Sequence, residues 1–198
     1  MMNLNRFSNL LFFTLMNFVV GCGVGIAQET KPTKEEQPGF DDFRALKVLE
    51  GKWKSTIRFW TGESGGAAQE TKGEASFELT LGNKFIVEKS KGKIAENDYE
   101  GVGYWGYDQK KGKFTRVWMD SMWSGTVLSE GTINRERNTI AYYGKVNVPD
   151  GSKFTDKLMR WELDVSDKDK IILKMFDLSL NKDAKVMEIV YDRIKDEE

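Results

Sequence analysis

Short segments in which apolar and polar residues alternate recur along most of this chain, and this period of two constrains its fold more than any other feature. Trp53, Ser55 and Ile57 share one face of the first segment, with Lys54 and Thr56 on the other. Alternation of this kind is typical of half-buried strands. Turn-forming residues separate the segments at hairpin spacing. We predict strands at 53–59, 74–81, 85–90, 99–107, 113–120, 124–132, 139–146, 155–165, 170–177 and 185–193.

About ten such strands predict an all-β, antiparallel meander. A long meander leaves two exposed edges unless it closes into a barrel, and a barrel of this size encloses packed side chains or one small ligand. Glycines inside strands suit sharp bends or close approach of backbones. They are Gly101, Gly103, Gly106, Gly125 and Gly144. A glycine-rich loop is expected at residues 62–66.

The segment before the barrel has the features of an export signal. Residues 1–27 combine one charge, Arg6, with an apolar run, which predicts a secretory signal peptide. Residues 19–22 resemble a lipobox, in which Cys22 would be lipidated; cleavage after Ala27 is the alternative. We therefore expect a periplasmic protein or an envelope lipoprotein, whose membrane contact is a lipid anchor at Cys22.

Two further segments lead into the first strand. Residues 28–38 are polar and contain two prolines, as expected for a disordered tether. Residues 39–198 are expected to form a single barrel domain that opens with a short helix. Asp41 or Asp42 is the predicted N-cap of that helix, and Gly51 its end.

Composition excludes several classes of function. The chain has no histidine, which excludes a Ser-His-Asp site, His-ligated zinc and haem held by an axial histidine. The net charge of −1 argues against a nucleic-acid partner. We expect no metal and no cofactor. Residues 101–106 have the form GxGxxG, but a turn and another strand follow them, so a phosphate-binding loop is rejected.

Inward-facing polar side chains are the candidates for a ligand site, because a buried charge is costly unless it is paired. Along one predicted strand, Phe114, Arg116, Trp118 and Asp120 share a face. A cavity lined by Trp118, Asp120, Arg160 and Glu188 would bind an amphipathic ligand, with Arg160 meeting its carboxylate. The predicted ligand-binding residues are Trp118, Asp120, Arg116, Arg160, Glu188 and Tyr104. The alternative is that the charges lie on the surface or form one ion pair that sets the barrel register.

Other conspicuous residues receive structural interpretations. Trp53, Trp105 and Trp161 are assigned to the core, because aromatic side chains dominate cores. Glu88 and Glu130 would form an acid–base pair only if they converged; the competing interpretation places both on solvated strand faces. No catalytic residue is assigned.

Several segments resemble known proteins. Gly51-Lys52-Trp53, after Leu49-Glu50, is similar to the Gly-x-Trp signature of lipocalins and calycins, in which the tryptophan plugs one barrel end. Residues 81–85, 99–108, 118–121 and 186–191 resemble a bacterial family catalogued as domain of unknown function 1579. The resemblance implies a calycin-like barrel with a central cavity and no assigned activity. Related barrels bind fatty acids, retinoids or haem, the last through an axial histidine that this chain lacks.

Three functions remain open. The leading hypothesis is a non-catalytic barrel that binds a small apolar or amphipathic molecule. The second is a structural or interaction protein of the cell envelope, with a filled barrel and exposed apolar surface outside. The third is a carboxylate-based hydrolase or isomerase, which requires Asp120 and Glu188 to converge in an open pocket.

Overall fold

A computed structural model describes residues 40–60, 67–94, 96–150, 153–181 and 184–195. The predicted signal peptide, lipobox and tether lie outside these residues, as does the glycine-rich loop expected at 62–66. Within them, no helix has the length and apolar character that crossing a membrane requires.

Ten strands follow a short helical segment. An α-helix, α1 (Phe40–Arg44), continues directly into a 3₁₀ helix at Ala45–Leu49. The strands are β1 (Gly51–Phe59), β2 (Gln69–Thr80), β3 (Phe85–Ile94), β4 (Asn97–Asp108), β5 (Lys113–Asp120), β6 (Trp123–Asn134), β7 (Thr139–Asp150), β8 (Lys153–Asp164), β9 (Lys170–Asp177) and β10 (Lys185–Arg193).

The start of the helix differs from the prediction. Because α1 already begins at Phe40, Asp41 and Asp42 lie within its first turn, and their prediction as N-cap is wrong. The Asp42 carboxylate instead accepts a hydrogen bond from Arg135, between β6 and β7. The predicted end of the helix is confirmed. Gly51 has a φ of +126°, which side-chain-bearing residues rarely adopt, and the chain turns there into β1.

The strands close into a barrel of simple up-and-down connectivity. Each strand pairs antiparallel with its neighbours in sequence, and β10 pairs with β1 from Trp53↔Arg193 to Phe59↔Met187. The predicted all-β meander is therefore confirmed. Closure leaves no exposed edge along β1 and β10, the outer strands of an open meander.

Alternation along each strand sets the core. On β8, Met159, Trp161 and Leu163 are buried and point inward. Trp53 and Trp105 are also buried, so the assignment of the three tryptophans to the core is confirmed. Ring contacts connect the core across strands, as between Trp105 and Tyr142 at 5.6 Å. Such edge-to-face pairs add to the apolar area that the core removes from water.

One end of the barrel is closed by the helical segment; we call this the closed end. Leu46 and Leu49 from the 3₁₀ helix are buried against Trp53, near the start of β1. Trp53 Nε1 donates a hydrogen bond to the Leu49 carbonyl at 2.7 Å. The Arg193 guanidinium stacks on the Trp53 ring at 4.0 Å and donates to the carbonyls of Val48 and Glu50. These bonds satisfy carbonyls that the end of a helix leaves without partners.

Candidate functional site

An interior cavity of about 310 Å³ lies at the opposite end of the barrel, which we call the open end. Its walls are mostly apolar and include Phe59, Val127, Met175, Met187 and Ile189. Trp123, after the β5–β6 turn, lines it while remaining 49% exposed. The volume lies at the lower end of the range for small-molecule sites, ~300–1,000 Å³.

Two larger depressions lie on the outer face of β1, β2 and β3, with volumes of about 530 and 650 Å³. Exposed lysine and glutamate side chains, such as Lys52, Lys91 and Glu74, line them. Both open broadly to solvent. The interior cavity is the better candidate site because its walls are mainly apolar side chains of the barrel interior with a few polar groups among them, the usual form of a small-molecule site.

A buried carboxylate lies beneath the inner part of the cavity. Glu88 on β3 is 1% exposed. Its Oε2 accepts a hydrogen bond from Trp105 Nε1 at 2.9 Å, and its Oε1 accepts from Ser90 Oγ at 2.9 Å and Tyr191 OH at 3.0 Å. Three neutral donors therefore satisfy this carboxylate, as a buried charge requires.

The Glu88–Glu130 pair considered from the sequence does not form. Glu130 lies exposed on the outer face of β6, where Lys111 Nζ approaches it to 2.5 Å. The competing interpretation, a solvated strand face, is correct for Glu130 and wrong for Glu88. Ile86 and Glu88 point inward together, so the face of β3 that carries Ile86 also buries the carboxylate.

Arg116 on β5 is the one charged residue among the described residues that line the cavity. It is 5% exposed, and its guanidinium lies 4.6 Å from the Trp105 ring centre and 4.8 Å from that of Trp118. Its Nε is buried and has no hydrogen-bond partner among the described residues. Cation–π contacts stabilise the guanidinium between the two rings without supplying an acceptor for its N–H groups.

Trp118 and Asp120 continue the inward face of β5 toward the open end. Trp118 lines the cavity, and its Nε1 donates to Asp120 Oδ2 at 2.9 Å. Asp120 Oδ1 accepts from the Met122 backbone N–H at 3.0 Å. The predicted shared face of Phe114, Arg116, Trp118 and Asp120 agrees with their burial and contacts.

Two tyrosines complete the polar part of the cavity. Burial, and then the charges of Asp120 and Glu88, raise the pKa of Tyr99 above its ordinary value, while Arg116 opposes the shift. Burial and Glu88 likewise raise the pKa of Tyr191, again against the influence of Arg116. Both phenols therefore stay protonated at neutral pH, and Tyr191 donates a hydrogen bond to Glu88.

Two glycines on β4 leave the space that the Trp118 ring occupies. A Cβ at Gly101 would lie 2.4 Å from Trp118 Cζ2, and one at Gly103 would lie 2.8 Å from Trp118 Cε3. These residues belong to the GxGxxG segment, which lies within strand β4. The predicted close approach is thus found at both positions. It is also found at Gly106, beside Phe85, and at Gly144, beside the Leu128 carbonyl, whereas a Cβ at Gly125 would meet nothing within 4 Å.

Of the predicted ligand-binding residues, Arg116 and Trp118 line the cavity and Asp120 does not, although it is bonded to Trp118. Three others point away from the cavity altogether. Arg160 pairs with Glu162 at 3.1 Å and stacks on Phe176 on the outer face. Glu188 accepts from Lys185 at 2.9 Å and from Arg58 at 3.4 Å. The predicted cavity containing Arg160 and Glu188 is wrong, because each alternates with buried or cavity-lining neighbours and so points outward.

Tyr104 is the third of these residues. It is more than one-third exposed and lies on the outer face of β4, opposite Val117 of β5. Strand alternation places it outside because Gly103 and Trp105 point inward. Tyr99 and Tyr191 were not predicted from the sequence, and Glu88 was considered only as a partner of Glu130 or as a residue of a solvated strand face.

The site offers limited chemistry. Among the described residues, no group of three or more acidic or other ligating side chains is arranged to hold a metal ion. Glu188 is directed outward, away from Asp120 at the cavity rim, so the two do not form the pair that acid–base catalysis would need. What the cavity presents is apolar wall, one cation and neutral hydrogen-bond donors.

Fold and site together define a small closed antiparallel barrel that is capped at one end and has an interior cavity toward the other. The chain belongs to the family described as Protein of unknown function (DUF1579), whose model matches residues 41–193. A crystal structure of Rv2717c from M. tuberculosis is similar in fold, with a TM-score of 0.54 and 16% identity over 77% of this chain and 97% of that one. None of the curated proteins matches.

Proposed function

We propose that this protein is a non-catalytic barrel that binds one small apolar or amphipathic molecule in the open-end cavity. The observation that carries the proposal is the interior volume of about 310 Å³ with mainly apolar walls and one buried cation. An apolar pocket with a few convergent polar groups is the usual form of a small-molecule site.

The cavity also weighs against the alternatives. A filled barrel would leave no such volume, which equals about ten water molecules at ~30 Å³ each. A carboxylate enzyme would need an acid and a base at the same opening. Asp120 instead has both oxygens occupied by Trp118 and Met122, and Glu88 is covered by three donors.

Native mass spectrometry tests the proposal. The full chain is expressed with its signal, purified in its processed form and analysed under native and then denaturing conditions. A passenger at a stoichiometry of one is expected, and its release on unfolding identifies the ligand class. A mass without any passenger, together with no uptake of a fluorescent apolar probe, would contradict the proposal.

Two valines provide a matched pair for that measurement. Val127 lines the cavity, whereas Val102 is on the outer face of β4. Val127→Trp should fill the cavity and reduce probe uptake at least tenfold, while Val102→Trp should leave it unchanged. Circular dichroism confirms folding, since overpacking a core costs typically 1–3 kcal/mol.

We also propose export, on the sequence of residues 1–27. The intact mass of the processed protein distinguishes the two cleavage sites. A lipidated Cys22 at the new N-terminus would indicate an envelope lipoprotein, and an N-terminus at Gln28 would indicate a periplasmic protein.

An envelope interaction protein is the second candidate, because apolar side chains cross the outer face of β4, β5 and β6. Val102 on β4 pairs with Met119 on β5. Tyr104 pairs with Val117, which pairs in turn with Leu128 on β6, and Leu128 is 64% exposed. Contiguous exposed apolar surface of this kind marks contact sites. Light scattering over a concentration series tests it: self-association that Leu128→Glu abolishes would favour this candidate.

A further inference from the structure

We infer that the ligand is a small monocarboxylic acid whose carboxylate binds the Arg116 guanidinium and whose apolar tail extends toward the open end. This inference rests on the proposed function, since it names the chemical class that the cavity takes. It is carried by the hydrogen-bonding state of Arg116 and of the carboxylates near it.

Arg116 has donors in the cavity without acceptors. A guanidinium carries five N–H donors and no acceptor, and burying its charge unpaired is costly. Trp105 and Trp118 cover the guanidinium, but an indole ring offers no lone pair comparable to a carboxylate. The Nε is buried and unpartnered among the residues the structure describes. An acceptor from outside the chain would satisfy it.

The nearby carboxylates are occupied by other donors. Glu88 accepts hydrogen bonds from Ser90, Tyr191 and Trp105, so each of its oxygens has a donor. Asp120 accepts from Trp118 at one oxygen and from the Met122 backbone at the other. Both anions are thus held by neutral groups. The strongest acceptor for Arg116, a planar bidentate carboxylate, is left for a ligand to supply.

The walls limit the ligand to one charge. Among the described residues that line the cavity, Arg116 alone is charged. From it the lining passes to apolar side chains, including Val127, Met187 and Phe59 at the open end. A second anionic group on the ligand would be buried without a partner. The volume holds on the order of ten non-hydrogen atoms, by comparison with water at ~30 Å³ each.

Three probes with the same eight-carbon chain isolate the head group: octanoate, octanol and octylammonium. Titration calorimetry measures their affinities for the processed full chain after any passenger has been removed. Octanoate should bind about ten- to hundredfold more tightly than octanol, the range expected for a charge-assisted hydrogen bond. Octylammonium should bind most weakly, because its charge meets Arg116.

Two arginine variants complete the experiment. Arg116→Met should remove the preference for octanoate while octanol binding remains, and Arg116→Lys should retain part of it. Arg160→Met is the matched control, because Arg160 is on the outer face beside Phe176 and should leave all three affinities unchanged.

The outcomes separate this inference from the proposed function. Equal affinities for octanoate and octanol in the unmodified protein would overturn the carboxylate assignment and leave a binding barrel in place. Binding of none of the three probes, with no passenger in the native mass spectrum, would overturn the proposed function itself. If Arg116→Met fails to fold, the comparison of head groups in the unmodified protein still decides.

Discussion

The two ends of this barrel are built from the same strands but differ in what fills them. At the closed end, Leu46 and Trp53 are 0% exposed, and Arg193 satisfies the carbonyls behind them. At the open end, Trp123 is 49% and Phe154 66% exposed, and an interior volume lies beneath. The first arrangement removes apolar surface from water as fully as packing allows.

Strand β5 shows how this difference arises within one element. Its inward residues pass from Phe114, buried in the core, through Arg116 between two indoles, to Asp120 at the rim. The alternation of the strand stays constant while the chemistry of each inward position changes. Stability is therefore expected to depend mainly on the closed end, and ligand binding on the positions from the middle of the barrel outward.

The largest expected effect tests that division with two tryptophans. Trp53→Ala should lower the free energy of unfolding by about 3–5 kcal/mol, since it leaves a cavity in the core and removes the donor to the Leu49 carbonyl. Trp123→Ala should change it by about 0.5 kcal/mol or less, as for most exposed positions. Urea denaturation measures both, and equal losses would contradict the assigned roles of the two ends.

Glycine substitutions on β4 sharpen the comparison at the middle of the barrel. Gly103→Ala should destabilise by about 1–3 kcal/mol, because its Cβ would lie 2.8 Å from the Trp118 ring. It should also weaken octanoate binding, since displacing Trp118 moves the ring that covers Arg116. Gly125→Ala, where nothing lies within 4 Å, is the control and should fall within about 1 kcal/mol of the unmodified protein. If Gly103→Ala changed neither the stability nor the octanoate affinity, Trp118 would be able to adopt another position without loss.

The smallest expected effect is the dependence of the stability on pH in the acidic range. Burial alone would raise the pKa of Asp177, at the open end of β9, but hydrogen bonds from Ser179 and Lys157 outweigh it and lower this pKa below its ordinary value. The resulting stabilisation is present above the unfolded-state pKa of about 3.9 and is lost as pH falls through the lower folded-state value.

Asp177→Asn should therefore cost about 1 kcal/mol at pH 7 and progressively less on acidification. Thermal unfolding of the variant and of the unmodified protein from pH 7 to pH 2 measures the difference. Arg160→Met, which leaves Asp177 untouched, serves as the control for pH effects elsewhere. A difference that stays constant over the whole range would show that Asp177 is not the titrating group.

Much of the fold was predictable because a strand records burial in its sequence period. In β1 and β5 the alternation identified the inward faces correctly; they are the faces that carry Trp53 and Arg116. It was less informative in β3, where Phe85, Ile86 and Val87 are all apolar and either face could be the buried one. For that reason the burial of Glu88 was not predicted. Arg160 and Glu188 were wrongly placed in the cavity. Each is the direct sequence neighbour of inward-facing residues, and successive residues of a strand point to opposite faces, so both point outward.

The inner part of the site depends on the register between strands, which no local pattern contains. Glu88 meets Trp105 and Tyr191 across 17 and 103 residues of sequence. Bringing them together requires the β3–β4 pairing and the closure of the whole barrel. The sequence placed Arg116 on the correct face, but the two indoles around its guanidinium and its unpartnered Nε became visible only once the strands were aligned.

Pairing of β10 with β1 also determines where the described chain enters and leaves the barrel. The chain enters through α1 and leaves after Arg193, both at the closed end. An affinity handle or surface linker joined beyond either point would therefore attach on the side away from the cavity mouth. Immobilised protein would present the mouth to solution, and the β5–β6 turn beside it could be randomised in selection libraries without disturbing the point of attachment.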